Sequence, residues 1–244
     1  MRRRSLLFGV FSGVLLAGCA CSRLPGKPKP GPEVPRPDSV LNSAVLYSEN
    51  CAGCHGVSGK DGPAMDLSNP VYLAIVDDDT LRDTISKGRP GTAMSAFSRK
   101  QGGMLTDEQI TSIMRGIRER WGNSSALAGV TPPAYTVTVT GNPQKGEIVY
   151  TTYCTSCHGD NDKAGPKAGS VTNPSYLSLI SDQGLRTVVI AGRPDFGAPD
   201  WRSNVPGHPM SEQEISDVVA WLSSHRPAQS GESNTANSSF GAMH

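Results

Sequence analysis

Residues 48–63 read SENCAGCHGVSGKDGP, and residues 151–166 read TTYCTSCHGDNDKAGP. Cys51, Cys54, His55, Gly56, Gly62 and Pro63 therefore recur 103 positions later as Cys154, Cys157, His158, Gly159, Gly165 and Pro166. After a one-residue insertion the match continues. Asn69-Pro70 returns as Asn173-Pro174, Tyr72-Leu73 as Tyr176-Leu177, Leu81-Arg82 as Leu185-Arg186, and Gly88-Arg89-Pro90 as Gly192-Arg193-Pro194. The repeat closes on TDEQITSIMRGI, from Thr106, and SEQEISDVVAWL, from Ser211. Ile110, Ile113, Met114 and Ile117, like Ile215, Val218, Val219 and Leu222, form the i, i+3, i+4, i+7 stripe of a helix with one buried face. Each of these helices opens with a capping box, Thr106 with Gln109 and Ser211 with Glu214. Residues 45–47 and 148–150, ahead of each CxxCH, and the stretches 80–87 and 183–191 also suit helices. Two copies are too few for a solenoid. They predict an all-α chain of two tandem units, 39–121 and 142–226, joined by a Gly-, Ser-, Pro- and Thr-containing linker at 122–141. A unit of roughly 85 residues with three or four short helices has a thin core of its own. Something else must fill its middle.

The CxxCH motifs say what that is. On a helix two cysteines three apart face the same way, so both thiols reach the vinyl groups of one haem, and the adjacent histidine ligates its iron. The spacing reads as c-type haem attachment. A zinc ribbon places its CxxC units about 15–20 residues apart, unlike these. A thioredoxin-type redox pair needs a βαβ context that is absent. A disulfide within each pair explains neither the histidine nor the duplication.

Each unit resembles a class I cytochrome c domain, over most of 39–121 and 142–226. The resemblance implies two covalently bound haem c groups, attached at Cys51, Cys54, Cys154 and Cys157, with iron ligated by His55 and His158. It implies that the carbonyls of Pro63 and Pro166, eight residues after these histidines, accept the Nδ1–H that orients each ring. It also implies a methionine thioether from the loop before the last helix. In the first unit Met94, in Met94-Ser95-Ala96-Phe97, resembles the family's M-P-x-F segment, with Ser in place of Pro. Met104 lies two residues before the cap Thr106 and reads as a packing residue, and Met114 lies on the helix stripe. The second unit departs from the pattern: Ala198 stands opposite Met94 and Trp201 opposite Phe97. Met210, just before Ser211, is the first candidate for the missing ligand. His208 is the second and would give a bis-His iron of lower potential. An open site is the third.

The amino terminus reads as an address. Arg2, Arg3 and Arg4 precede an apolar stretch at 6–17, the pattern of a secretory signal and too short for a comfortable membrane span. Leu16-Ala17-Gly18-Cys19 resembles the lipobox of bacterial lipoproteins, which implies a signal peptide at 1–18 and acylation of Cys19. Cys21 acquires no role. Residues 19–38 carry the anchor and a proline-rich spacer of polyproline character, and 227–244 read as a disordered Ser/Asn/Gly-rich tail. Ala20 lacks the aspartate that resembles an inner-membrane retention signal, which favours the outer membrane. Charge is nearly balanced, 23 Lys and Arg against 22 Asp and Glu, so no nucleic-acid partner is expected.

These readings converge on an extracytoplasmic, lipid-anchored dihaem cytochrome. It would pass single electrons between respiratory or photosynthetic redox proteins and would not itself be an enzyme. Ala198 keeps open a peroxidase-like enzyme with an exposed second haem. A fixed haem subunit of a larger membrane oxidoreductase shares the same chemistry. His225 reads as a helix-terminal residue, Trp121 and Trp221 as packing residues, and the acidic run at 77–79 as a helix start.

Overall fold

The computed structural model describes Gly31, residues 34–160 and residues 163–227. Met1–Ser39 and Val40–His244 form separate compact units. Among its described residues the first holds a turn of 3-10 helix, Pro37–Ser39, with the Ser39 hydroxyl donating to Arg36 O at 2.7 Å. The expectations for the signal segment, Cys19, Cys21 and residues 228–244 lie outside the described residues.

Among its described residues the second unit is helical, with five α-helices in each half. The first half holds α1 (Ser43–Asn50), α2 (Ala52–His55), α3 (Pro70–Ile75), α4 (Asp78–Lys87) and α5 (Asp107–Trp121). The second holds α6 (Pro143–Tyr153), α7 (Thr155–His158), α8 (Pro174–Leu179), α9 (Asp182–Ala191) and α10 (Glu212–Ser224). No strand forms among the described residues, where only isolated bridges pair Ser98 with Leu105 and Arg193 with Ala198.

Caps explain the starts. Asp77 accepts from Thr80 N at 2.6 Å at the head of α4, and both α5 and α10 begin with complete capping boxes. The short helices α3 and α8 were not foreseen from periodicity, yet their signal is local. Asn69 and Asn173 cap them with side-chain oxygens, and Pro70 and Pro174 follow at the first helical turn, where a missing N–H costs nothing.

The first and last helices of each half cross closely, α1 on α5 and α6 on α10. Glycine permits both approaches. A Cβ on Gly116 of α5 would sit 2.5 Å from the Ser43 side chain, and one on Gly146 of α6 would sit 2.0 Å from Asp217 O. The apolar stripes of α5 and α10 are buried throughout. Met104, expected to pack, is instead 75% exposed, and its neighbour Leu105 fills the core. The residue directly before the N-cap is the one that folds back onto the helix.

Residues 122–141 are clamped to the second half. The buried Arg186 donates to Ala134 O at 2.7 Å and pairs with Glu212, while Gln183 donates to Tyr135 O at 2.7 Å. The halves also touch directly. Helix α3 packs on α9, Asn69 Nδ2 donates to Ala191 O at 2.8 Å, and Arg193 Nη2 donates to Gly62 O at 3.0 Å.

Candidate haem-binding sites

Both CxxCH motifs are built the same way. Helix α1 ends as Cys51 N donates to Tyr47 O at 2.8 Å, and Cys51 then heads the single turn α2. Within that turn His55 N donates to Cys51 O at 3.0 Å. Cys154 plays the same double part between α6 and α7, with His158 N on Cys154 O at 3.0 Å. Helical geometry therefore holds the two thiols of each motif on one face, with the histidine immediately following.

The chain leaves each turn through a glycine in the left-handed region, Gly56 at φ 80° and Gly159 at φ 78°. A tyrosine from the preceding helix pins each of them. Tyr47 Oη donates to Gly56 O and Tyr150 Oη to Gly159 O, both at 2.8 Å. Tyr47 meets Trp121 edge-on at 5.2 Å between ring centroids, and Tyr150 meets Trp221 at 4.4 Å. Burial pushes the Tyr150 hydroxyl up to about 12, which keeps it a donor.

The histidine partners differ from expectation. His55 Nδ1 lies 2.7 Å from Met65 O and His158 Nδ1 lies 2.9 Å from Gly169 O. Pro63 and Pro166 are exposed. The reason lies one residue earlier. A Cβ on Gly62 or Gly165 would fall 2.2 or 2.1 Å from the carbonyl of Cys54 or Cys157, so the backbone turns hard against the motif and carries the prolines outward. Ala64 N then donates to Cys54 O at 3.0 Å, and Ala168 N to Cys157 O at 3.0 Å. The offset between the halves thus changes from 103 to 104 between Gly165 and Ala168, which locates the one-residue insertion.

A carbonyl only accepts, so each Nδ1 carries a proton, and Nε2 is the nitrogen left to present a lone pair to a metal. Burial lowers the His55 pKa against the opposing pull of the Met65 carbonyl, and Arg193 of the second half adds to the lowering. The ring is therefore neutral, as a metal ligand must be. The motif cysteines are unpaired thiols. Burial, with the neighbouring cysteine, pushes Cys51 up to about 11 and Cys154 up to about 12. Two free thiols and one oriented, neutral imidazole on a single turn fit a covalently held haem. Among the described residues no group of three or more His, Cys, Asp or Glu is disposed to hold a metal ion by itself.

The loops before the last helices are also comparable residue by residue. Arg89 N donates to Met94 O at 2.9 Å and Arg193 N to Ala198 O at 3.0 Å. Gly88 and Gly192, at φ 67° and 69°, lie against those same stretches. Met94 is half-buried. Further along, Leu105 N donates to Phe97 O at 2.8 Å and Met210 N to Trp201 O at 2.9 Å. Met210 thus takes the place of Leu105. It is 3% exposed, and Asn204 Nδ2 lies 3.9 Å from its sulfur. His208 is exposed, its N–H donating to Val205 O at 3.0 Å.

A family model described as cytochrome C oxidase, cbb3-type, subunit III matches residues 39–115 and 141–222. The chain is 29% identical over 146 residues to the Cbb3-type cytochrome c oxidase subunit CcoP of Azospirillum sp. (strain B510), covering 54% of this chain and 43% of that protein. It is 26% identical to the FixP subunit of Bradyrhizobium diazoefficiens, covering 66% of this chain and 54% of that one. The chain therefore spans about half the length of these curated relatives. Among solved structures, the Kuenenia stuttgartiensis reducing HAO-like protein complex Kustc0457/Kustc0458 aligns over 80% of this chain and 100% of the matched chain, at 19% identity and a TM-score of 0.46.

Proposed function

The chain belongs to the cytochrome c oxidase, cbb3-type, subunit III family, and from that premise we propose that it is a dihaem electron carrier working outside the cytoplasm. Haem c, when bound, supplies one-electron chemistry by cycling its iron between two oxidation states. The observation that carries the reading is the pair of Nδ1-to-carbonyl contacts, at Met65 and at Gly169. Each orients a histidine whose Nε2 is free, one residue after two unpaired thiols.

In this reading Cys51 and Cys54 would hold one haem and Cys154 and Cys157 the other, with His55 and His158 as ligands to iron. Met94 completes the first site. Its competitors in the loop before the last helix and on that helix are Met104, which is 75% exposed, and Met114, which is buried on α5. Tyr47 and Tyr150 fix the exit of each motif and so the height of each histidine.

Membrane association is proposed through acylation of Cys19, which closes the lipobox-like Leu16-Ala17-Gly18-Cys19; no helix among the described residues is long and apolar enough to cross a membrane. The relatives are named as oxidase subunits, which supports a fixed place in a larger complex as a second reading, and co-purification separates the two. The function is tested by counting covalent haem on the purified chain with the pyridine haemochromogen assay and titrating it potentiometrically. Two haems per chain and two one-electron waves are expected. Colour that extracts into acid acetone overturns the reading.

A further inference from the structure

The second half lacks a methionine where the first half has one, and what stands near the gap is held elsewhere. Ala198 occupies the place of Met94, as the matching Arg193 and Arg89 bonds show. A methyl side chain offers iron no lone pair. Between Gly192 and Ser211 the only histidine and methionine are His208 and Met210. Met210 fills the core position that Leu105 fills in the first half, a place that needs only bulk and that leucine, without a donor atom, satisfies equally. His208 sits on the surface turn beside Glu214.

The loop is also pinned on both sides of Ala198, which opposes a swing of either residue into the gap. Arg193 and Ala198 exchange both backbone hydrogen bonds, at 3.0 Å each. Arg193 pairs with Asp195 at 2.7 Å and Arg202 with Asp200 at 2.5 Å. Trp201, 2% exposed, anchors the stretch that follows, with its N–H on Ile190 O at 3.1 Å. In the first half Gly91, Ala96 and Ser98 stand at the positions of Asp195, Asp200 and Arg202, so neither ion pair has a counterpart there.

We infer that the second half supplies His158 as its single axial ligand and leaves the position beside Ala198 to a small exogenous ligand of the diatomic class, while the first half is closed by Met94. The inference rests on the two-haem reading. Only the second site would then sense or bind such a molecule, and its occupancy would change how readily that haem accepts an electron from the first.

The test uses the full-length holoprotein, reduced with dithionite and titrated with carbon monoxide while the Soret band is followed. One carbon monoxide per chain is expected, unchanged in Met210→Leu and in His208→Ala. Ala198→Met should abolish binding, and Met94→Ala should raise it to two per chain. Absence of binding in the wild type, or binding that appears only in Met210→Leu or His208→Ala, overturns the inference and identifies the residue that closes the site. Two per chain in the wild type also overturns it, because Met94 would then not distinguish the halves. Haem is counted on the same samples. One covalent haem per chain would overturn the two-haem reading itself, a failure distinct from that of the ligand assignment.

Discussion

Asp107 and Glu212 each stand at the first position of the last helix in their half, and they use their charge differently. Asp107 pairs with Lys100 at 2.5 Å on the surface, with both partners more than half exposed. Glu212 pairs with Arg186, which is 2% exposed and also holds Ala134 of the connecting segment. The counterpart of Arg186 in the first half, Arg82, merely donates to Thr111 Oγ1 at 2.7 Å. Around the haem motifs the halves are nearly superimposable in their bonding, down to the 2.8 Å tyrosine contacts. The attachment turn is alike in the two halves and the rest differs: the second half holds the connector through a buried arginine and has Ala198 where the first half has Met94.

The largest expected effect tests whether the preserved parts are equivalent. Replacing Cys154 and Cys157 together by Ala should halve the covalent haem per chain, and the Cys51/Cys54 pair should do the same, as read by intact mass and haem assay. Unequal losses would show that one motif depends on the other. Next comes the divergent charge. Arg186→Ala strands Glu212 and the Ala134 carbonyl and should cost about 3–5 kcal/mol in denaturant unfolding, the usual penalty for breaking a buried pair. Arg82→Ala should stay within about 1 kcal/mol. Similar costs would erase the distinction.

The helix crossings give a smaller contrast. Gly146→Ala drives a methyl into the Asp217 carbonyl, which belongs to backbone, and should cost about 1–3 kcal/mol. Gly116→Ala meets the Ser43 side chain at the first residue of α1 and should cost less in the same denaturant unfolding. Tyr47→Phe and Tyr150→Phe each remove one hydrogen bond to a glycine carbonyl and should each cost about 0.5–1.5 kcal/mol. A marked difference between them would mean that the two attachment turns are not the equivalents their distances suggest.

The smallest effect concerns the contact between the halves. Asp61 N donates to Asp195 Oδ2 at 3.2 Å, and the hydrogen bond from Arg193 holds that carboxyl below the usual range. A depressed carboxylate contributes stability that is present above its unfolded value, about 3.9, and is lost only as pH falls through the lower folded value. The Asp61 amide resonance of the reduced protein should therefore titrate with a midpoint below about 3.9. A midpoint at or above that figure would mean Arg193 does not guard the bridge.

Much of this was readable in the primary structure, for identifiable reasons. The capping boxes at Thr106 and Ser211, the stripes of α5 and α10, and the CxxCH turns each arise within a handful of consecutive residues. Tyr47 and Tyr150 recur at the same 103-residue spacing as the cysteines, so their partnership with the motif was also within reach. The acceptors for His55 and His158 were not, because every residue has a carbonyl and only the path of the loop selects one. Met104 and Met210 show the same dependence on the path of the chain. Both lie close to a helix cap, yet one is 75% and the other 3% exposed, because the position directly before the cap turns inward and the one before that turns out.

What the chain's own order of residues determined is therefore the helical class, the duplication and the thiol–thiol–imidazole turn, since each is encoded by contacts between near neighbours. The tertiary structure alone decided that Met65 and Gly169 orient the histidines, that Arg193 reaches back toward His55, and that Met210 takes the buried place of Leu105. These depend on where loops of unequal length come to rest. That is settled by backbone bonds and packing between residues far apart along the chain, which no local pattern records.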